Sequence, residues 1–144
     1  MSGTDFQLDP RLQADTKHVT ALPLCDVLLM EDARFAWLIL VPRRSGCSEL
    51  LDLPEDLRGQ LWQEIDHAAA VLREVVPCDK LNVAALGNIV RQLHVHVVAR
   101  QVSDAAWPGP VWGSGKAQPY SDDALSLLVE TLRRQLASFA VPQK

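Results

Sequence analysis

Between Gln92 and Arg100 the chain reads Gln-Leu-His-Val-His-Val-Val-Ala-Arg, with two of its 4 histidines one residue apart inside an apolar run. That alternation has the period of a strand. It sends Gln92, His94, His96 and Val98 to one face and Leu93, Val95, Val97 and Ala99 to the other. The second face can seal a core, while the first carries imidazoles. Alternate strand residues lie roughly 6 to 7 Å apart, near enough for both rings to touch neighbouring parts of one small ligand.

The flanking segments supply partners for such a strand. Leu24 to Met30 and Phe35 to Val41 read as strands. The charged stretch Glu31-Asp32-Ala33-Arg34 between them reads as an exposed turn, so an antiparallel hairpin is expected. Trp37 to Val41 is continuously apolar, as a central strand covered on both sides would be. From Pro54 the period changes: Leu57, Leu61, Ile65, Ala68, Leu72 and Val76 recur every three or four residues, predicting a long helix between Pro54 and Pro77. Lys80 to Ala85 reads as a strand leading through a tight loop, Leu86-Gly87-Asn88, into the histidine strand. Asp9-Pro10 predicts a short helix with Leu12, Thr16 and Val19 as a contact face. Trp107 to Gly115 is rich in Pro and Gly and is expected to form a surface lid or contact arm. Ser121 then caps a terminal helix that presents Leu125, Leu128, Leu132, Leu136 and Phe139. The class is α+β: an antiparallel sheet, a long central helix and a C-terminal helix.

With 144 residues, 48% of them hydrophobic, the chain can build one core, and residues 1–144 are read as a single domain. Its core is expected at about 20–100, with a C-terminal lid or dimer extension over about 101–144. A net charge of -4 argues against an extended nucleic-acid interface and against attraction to anionic membranes, but leaves room for a local nucleotide site. Cys25, Cys47 and Cys78 lack zinc-ribbon spacing and are odd in number, so reduced structural thiols are expected. No basic-then-apolar leader opens the sequence and no apolar run reaches membrane-spanning length, which makes cytoplasmic the expected location.

Among residues able to carry chemistry, His18 and His67 stand in isolation and read as surface groups. Arg43 and Arg44, just after a strand, read as solvent-facing loop residues unless they converge with the histidines on phosphate. Gly87 permits close backbone approach and Asn88 offers both a donor and an acceptor, which suits phosphate binding and an ordinary turn equally. Trp107 and Trp112 suit packing on the sheet, a base-binding pocket or a dimer interface. Three readings remain for His94 and His96. They are two neutral metal ligands, though no compact His/Cys/Asp/Glu cluster surrounds them, two hydrogen-bonded structural histidines, or groups for phosphoryl chemistry.

The same stretch resembles the active strand of the histidine-triad nucleotide hydrolase and transferase superfamily, which usually reads His-x-His-x-His followed by two apolar residues. The resemblance extends over most of residues 24–100, including the run Phe35 to Pro42 and the long helix region Leu50 to Val76. It implies that His94 is the nucleophile, that His96 contacts phosphate, and that the backbone carbonyl of Gln92 orients His94. It further implies that Asn88, Gln92, Trp107 and Trp112 contribute to substrate binding and that two copies join their sheets in a homodimer. The implied activity is hydrolysis of a nucleotide phosphoanhydride or phosphoramidate through a histidine-nucleotidyl intermediate. The substrate would be a nucleotide or dinucleoside polyphosphate. No cofactor is required, and a divalent cation suits a polyphosphate substrate. The chain departs from the pattern where Gln92 stands for the first histidine, Trp37 for an auxiliary histidine and Ile89 for a hydroxyl residue. The alternative is therefore a noncatalytic nucleotide-binding or dimeric interaction protein.

Overall fold

In the computed structural model, which describes residues 5–139, the chain begins with a short helix whose capping chemistry is local. The Asp9 carboxylate accepts the Arg11 amide at 2.8 Å and Pro10 fills the first turn of α1 (Pro10–Asp15). The expected contact face of Leu12, Thr16 and Val19 does not form. Thr16 returns its hydroxyl to the Leu12 carbonyl at 2.7 Å, and the chain continues as strand β1 (Thr16–Ala21). Thr16, Val19 and Thr20 are β-branched and favour that extended course, which a helical reading of the segment overlooked.

Strands β2 (Cys25–Met30) and β3 (Ala36–Pro42) make the expected antiparallel hairpin, with Leu28 opposite Ile39. Its turn is exposed at Ala33, but its charges are not free in solvent as expected. Asp32 is 2% exposed and grips Arg34 through both carboxylate oxygens, at 3.0 and 2.8 Å. Helix α2 (Glu55–Val75) follows Pro54, with Glu55 and Asp56 in its first turn, where acidic groups oppose the positive end of the helix dipole. Strand β4 (Lys80–Ala84) and strand β5 (Val95–Arg100) pair antiparallel, Ala84 opposite His96. Residues 85–94 are not a tight hairpin. The Leu93 amide leaves the sheet to donate to the Cys47 carbonyl at 2.9 Å, so β5 starts at Val95 and not at Gln92. Gly87 turns this segment at φ +76, a left-handed conformation that side chains disfavour. Helix α3 (Asp122–Leu136) is capped by Ser121, whose hydroxyl accepts the Ala124 amide at 3.2 Å.

Among the described residues the result is a five-stranded antiparallel sheet in the order β1-β2-β3-β5-β4 with three α-helices. One face carries Val27, Leu29, Leu38, Leu40, Val95 and Val97 into the main core, against Leu61, Ile65 and Leu72 of α2 and Leu132 and Leu136 of α3. Each such fully buried aliphatic side chain contributes about 1.5–3 kcal/mol. The other face holds Leu28, Trp37, Ile39, Val41 and Val98 under Leu12, Phe35 and Val111. The alternation expected around the two histidines holds: Val95 and Val97 face the helices, and His96, opposite Ile39, faces away from them.

Polar side chains fasten these layers. Glu64 of α2 is fully buried, and its carboxylate accepts the Leu24 amide at 2.9 Å and the Cys25 amide at 2.8 Å, tying the helix to the start of β2. His67 is half-buried where the sequence suggested surface. Its Nε2 meets the Leu136 carbonyl at 3.0 Å and its ring centroid lies 5.1 Å from that of Phe139, so it joins α2 to the end of α3. His18 is exposed on β1, 3.6 Å from Asp26. Among the described residues no helix is long and apolar enough to cross a membrane. Residues 1–4 and 140–144 of the expected single domain and its C-terminal extension lie outside the described residues.

Candidate active site

The sheet face that does not meet α2 and α3 floors a cavity of about 400 Å³, with Trp37, Ile39, His94 and His96 among its lining. Its walls come from four places. Helix α1 contributes Arg11, the β2–β3 turn contributes Asp32, the segment after β4 contributes Asn88, and the segment after β5 contributes Trp112. His94 also borders a second cavity of about 260 Å³ on the side of Gln92 and Ser48.

Both rings of the candidate pair are nearly buried, His94 at 6% and His96 at 5% exposure, and their centroids are 4.8 Å apart in an edge-on arrangement. His94 Nδ1 lies 2.7 Å from the Gln92 carbonyl oxygen. A carbonyl only accepts, so Nδ1 carries the proton and Nε2 of the neutral ring keeps its lone pair. Nε2 has no protein partner among the described residues. His96 is arranged the opposite way. The Trp37 indole donates to its Nδ1 at 3.0 Å, and burial, with His94 beside it as the second cause, pushes the His96 pKa down to about 4. Trp112 packs on the same ring at 5.3 Å. In its neutral form one imidazole thus offers a nucleophilic nitrogen, and its neighbour is uncharged.

The structure brings Asn88, His94, His96 and Trp112 to the large cavity and leaves Gln92 and Trp107 off it. The Gln92 side chain is used elsewhere: its Oε1 accepts the Asp9 amide at 2.9 Å and its Nε2 donates to the Gln7 carbonyl at 2.8 Å. Trp107 lies over the buried Arg100 guanidinium, 5.6 Å from ring centroid to Cζ, and lines neither cavity. Arg43 is spent on Asp26 and on the Leu22 and Pro23 carbonyls, so it holds a turn and does not converge with the histidines.

Two ion pairs missed by sequence reasoning fix the cover of the cavity. Arg100, 1% exposed, donates to both oxygens of Asp104, to Asn82 Oδ1 and to the Gly109 carbonyl. Its hydrogen bonds hold the Asp104 pKa down to about 2. Arg34 reaches the Ser114 carbonyl at 3.1 Å while gripping Asp32. Burial raises the Asp32 pKa, but the hydrogen bonds from Arg34 and the Gln118 amide outweigh it and leave it lowered. The advance signals were a charged turn and a strand-ending arginine; the ion-pair partners lie two and four residues away, but neither signal identifies the more distant contacts to Ser114, Gln118 and Asn82.

The family model for the HIT domain matches residues 11–102, more than half of the chain. The chain belongs to the histidine triad family. No curated protein matches it. Among solved structures, it is similar to a histidine triad protein of Bradyrhizobium japonicum, with 45% identity and a TM-score of 0.89 over 91% of this chain and 98% of that one. It is equally similar to histidine triad proteins of Marinobacter aquaeolei (44%, TM-score 0.90, covering 94% and 98%) and Sinorhizobium meliloti (42%, 0.90, 93% and 99%). In this histidine triad protein the backbone carbonyl of Gln92 meets His94 Nδ1, the contact that the resemblance implies.

Proposed function

We propose that this protein is a cytoplasmic, homodimeric nucleotide hydrolase in which His94 attacks phosphorus and transiently carries the nucleotidyl group. The observation that carries the reading is the 2.7 Å contact from His94 Nδ1 to the Gln92 carbonyl, which leaves Nε2 as a free lone pair beside a cavity of about 400 Å³. That nitrogen forms the N–P bond as the bond to the leaving group breaks, and water then cleaves the intermediate. His96 and Asn88 would donate to the phosphate oxygens, and Ile39 and Trp112 would take the apolar part of the ligand. Histidine attack needs no metal, and a divalent cation would enter only as the counter-ion of a polyphosphate.

The homodimer reading is supported by β4, an edge strand that pairs only with β5 among the described residues, with Val83 40% and Leu86 43% exposed on it and just after it. Sedimentation of the full chain at micromolar concentration should give twice the monomer mass.

The chemical reading is tested with nucleoside phosphoramidates and dinucleoside polyphosphates. Turnover should be lost in H94A and H94N, and rapid mixing followed by intact-mass measurement should show a nucleotidyl adduct that both variants lack. One observation favours a noncatalytic nucleotide-binding role: Ile89, 74% exposed at the cavity rim, supplies no hydroxyl donor. Tight binding across the panel with no adduct and no His94-dependent turnover would establish that role instead.

A further inference from the structure

Trp37 lies opposite Val98 on the β3–β5 ladder, one alternate position from His96, and its indole N–H can only donate. Donation at 3.0 Å into His96 Nδ1 requires a lone pair there, so the single proton of the neutral ring sits on Nε2. A second proton on Nδ1 would set one N–H against another, inside packing supplied by His94, Trp37 and Trp112 at centroid distances of 4.8, 5.7 and 5.3 Å. The same geometry agrees with the His96 pKa of about 4 that burial and His94 produce. The remaining charged groups around the cavity are Arg11 and Asp15 of α1 and Asp32 and Arg34 of the β2–β3 turn. Carboxylates have no proton to give at neutral pH, and guanidinium groups do not release theirs.

We infer that Trp37 is a positioning residue that keeps His96 as the neutral, Nε2-protonated imidazole, and that the site therefore favours substrates whose leaving group departs as a phosphate anion over amines that must be protonated. The second half rests on the hydrolase reading above. With a phosphoanhydride, the His94 Nε2 lone pair forms the N–P bond, the bond from phosphorus to the bridging oxygen breaks, and its electron pair stays on the departing phosphate. That oxygen is a stable anion, and His96 donates a hydrogen bond without giving up its proton. Water then bonds to phosphorus, the N–P electron pair returns to His94, and the proton released from water passes to solvent. With an alkylamine leaving group, the electron pair would land on a nitrogen that leaves only when protonated, and no lining group supplies that proton.

The experiment uses the full chain with 15N-labelled histidine. The His96 ring nitrogens should show the Nε2–H form, unchanged from pH 8 to pH 5. W37F should spread His96 over both tautomers and bring its titration into that range, and W37H, whose ring can again donate, should restore the wild-type signature. In kinetics, diadenosine triphosphate should exceed an adenosine N-propyl phosphoramidate by about tenfold or more in kcat/KM, and W37F should lower kcat about tenfold with KM nearly unchanged. An Nδ1–H signature in the wild type, or no change in W37F, overturns the assignment of Trp37. Faster turnover of the phosphoramidate overturns the leaving-group preference. If neither compound is turned over while the tautomer signature holds, the hydrolase reading fails, and the preference with it, but the role of Trp37 stands.

Discussion

Gln92 ties the N-terminal segment to His94: its side-chain oxygen accepts the Asp9 amide at 2.9 Å while its backbone carbonyl meets His94 Nδ1 at 2.7 Å. Backbone and side chain of one residue therefore do separate work. Q92A keeps the carbonyl and removes the tether. It should lower stability by about 1–2 kcal/mol in urea unfolding while kcat falls less than about threefold.

Arg100 and Asp104 form a pair with side chains 2% and 6% exposed. R100A strands the carboxylate and should cost about 3–5 kcal/mol. R100K, which keeps the charge but not the fork, provides a folded comparison. The Asp104 pKa is depressed from 3.8 to about 2, so the pair's contribution is complete above pH 3.8 and is lost as pH falls through 2. The stability gap between wild type and R100K, read from urea midpoints, should narrow over that window.

Stability should also respond to His96. Its folded pKa of about 4 lies below the ordinary 6.5, so the unfolded chain binds the proton more readily between those values. The contribution of the neutral ring is present above pH 6.5 and is lost as pH falls through 4. H96N removes this linkage, and its urea midpoint should fall less steeply than that of the wild type over the same range.

Glu64 leaves two backbone amides without an acceptor when it is truncated. At about 1–3 kcal/mol for each unsatisfied group, E64A should be severely destabilised, and E64Q, with one oxygen left to accept, should fall between it and the wild type. Chemical denaturation of the three proteins checks that order.

The same carboxylate protects a thiol. Cys25 is fully buried, and burial first, then Glu64, raise its pKa, whereas Cys47 and Cys78 are half-buried. A disulfide-exchange reagent should titrate Cys47 and Cys78 in the native protein and reach Cys25 only after denaturation, an outcome counted by absorbance.

What the sequence made legible was periodicity. The β2–β3 hairpin, α2 and α3 were readable because their apolar residues recur at the spacing of the element they form. β1 was not, since it buries only Thr16 and Val19, three positions apart, and its register shifts between His18 and Thr20. At the site, His94 and His96 announced themselves by alternation, and the residues that bind Asp32, Arg100 and Gln92 did not. Arg34 and Asp104 are near neighbours of their partners in loops that carry no periodicity, and the distant partners are set by tertiary closure: Gln92 meets Gln7 across 85 positions and Gln118 meets Asp32 across 86. Trp107 and Trp112 looked equivalent in a Pro- and Gly-rich segment, and only the folded path turns Trp112 to the cavity and Trp107 to Arg100.

Because Arg100 ends the strand that carries His96 and also grips Asp104 and the Gly109 carbonyl, roof and floor hang from one beam. That wall cannot swing like a door without first pulling a guanidinium from its carboxylate. The chamber wall at residues 86–90 has no such buried ion pair among the described residues, and Ile89 there stands 74% exposed.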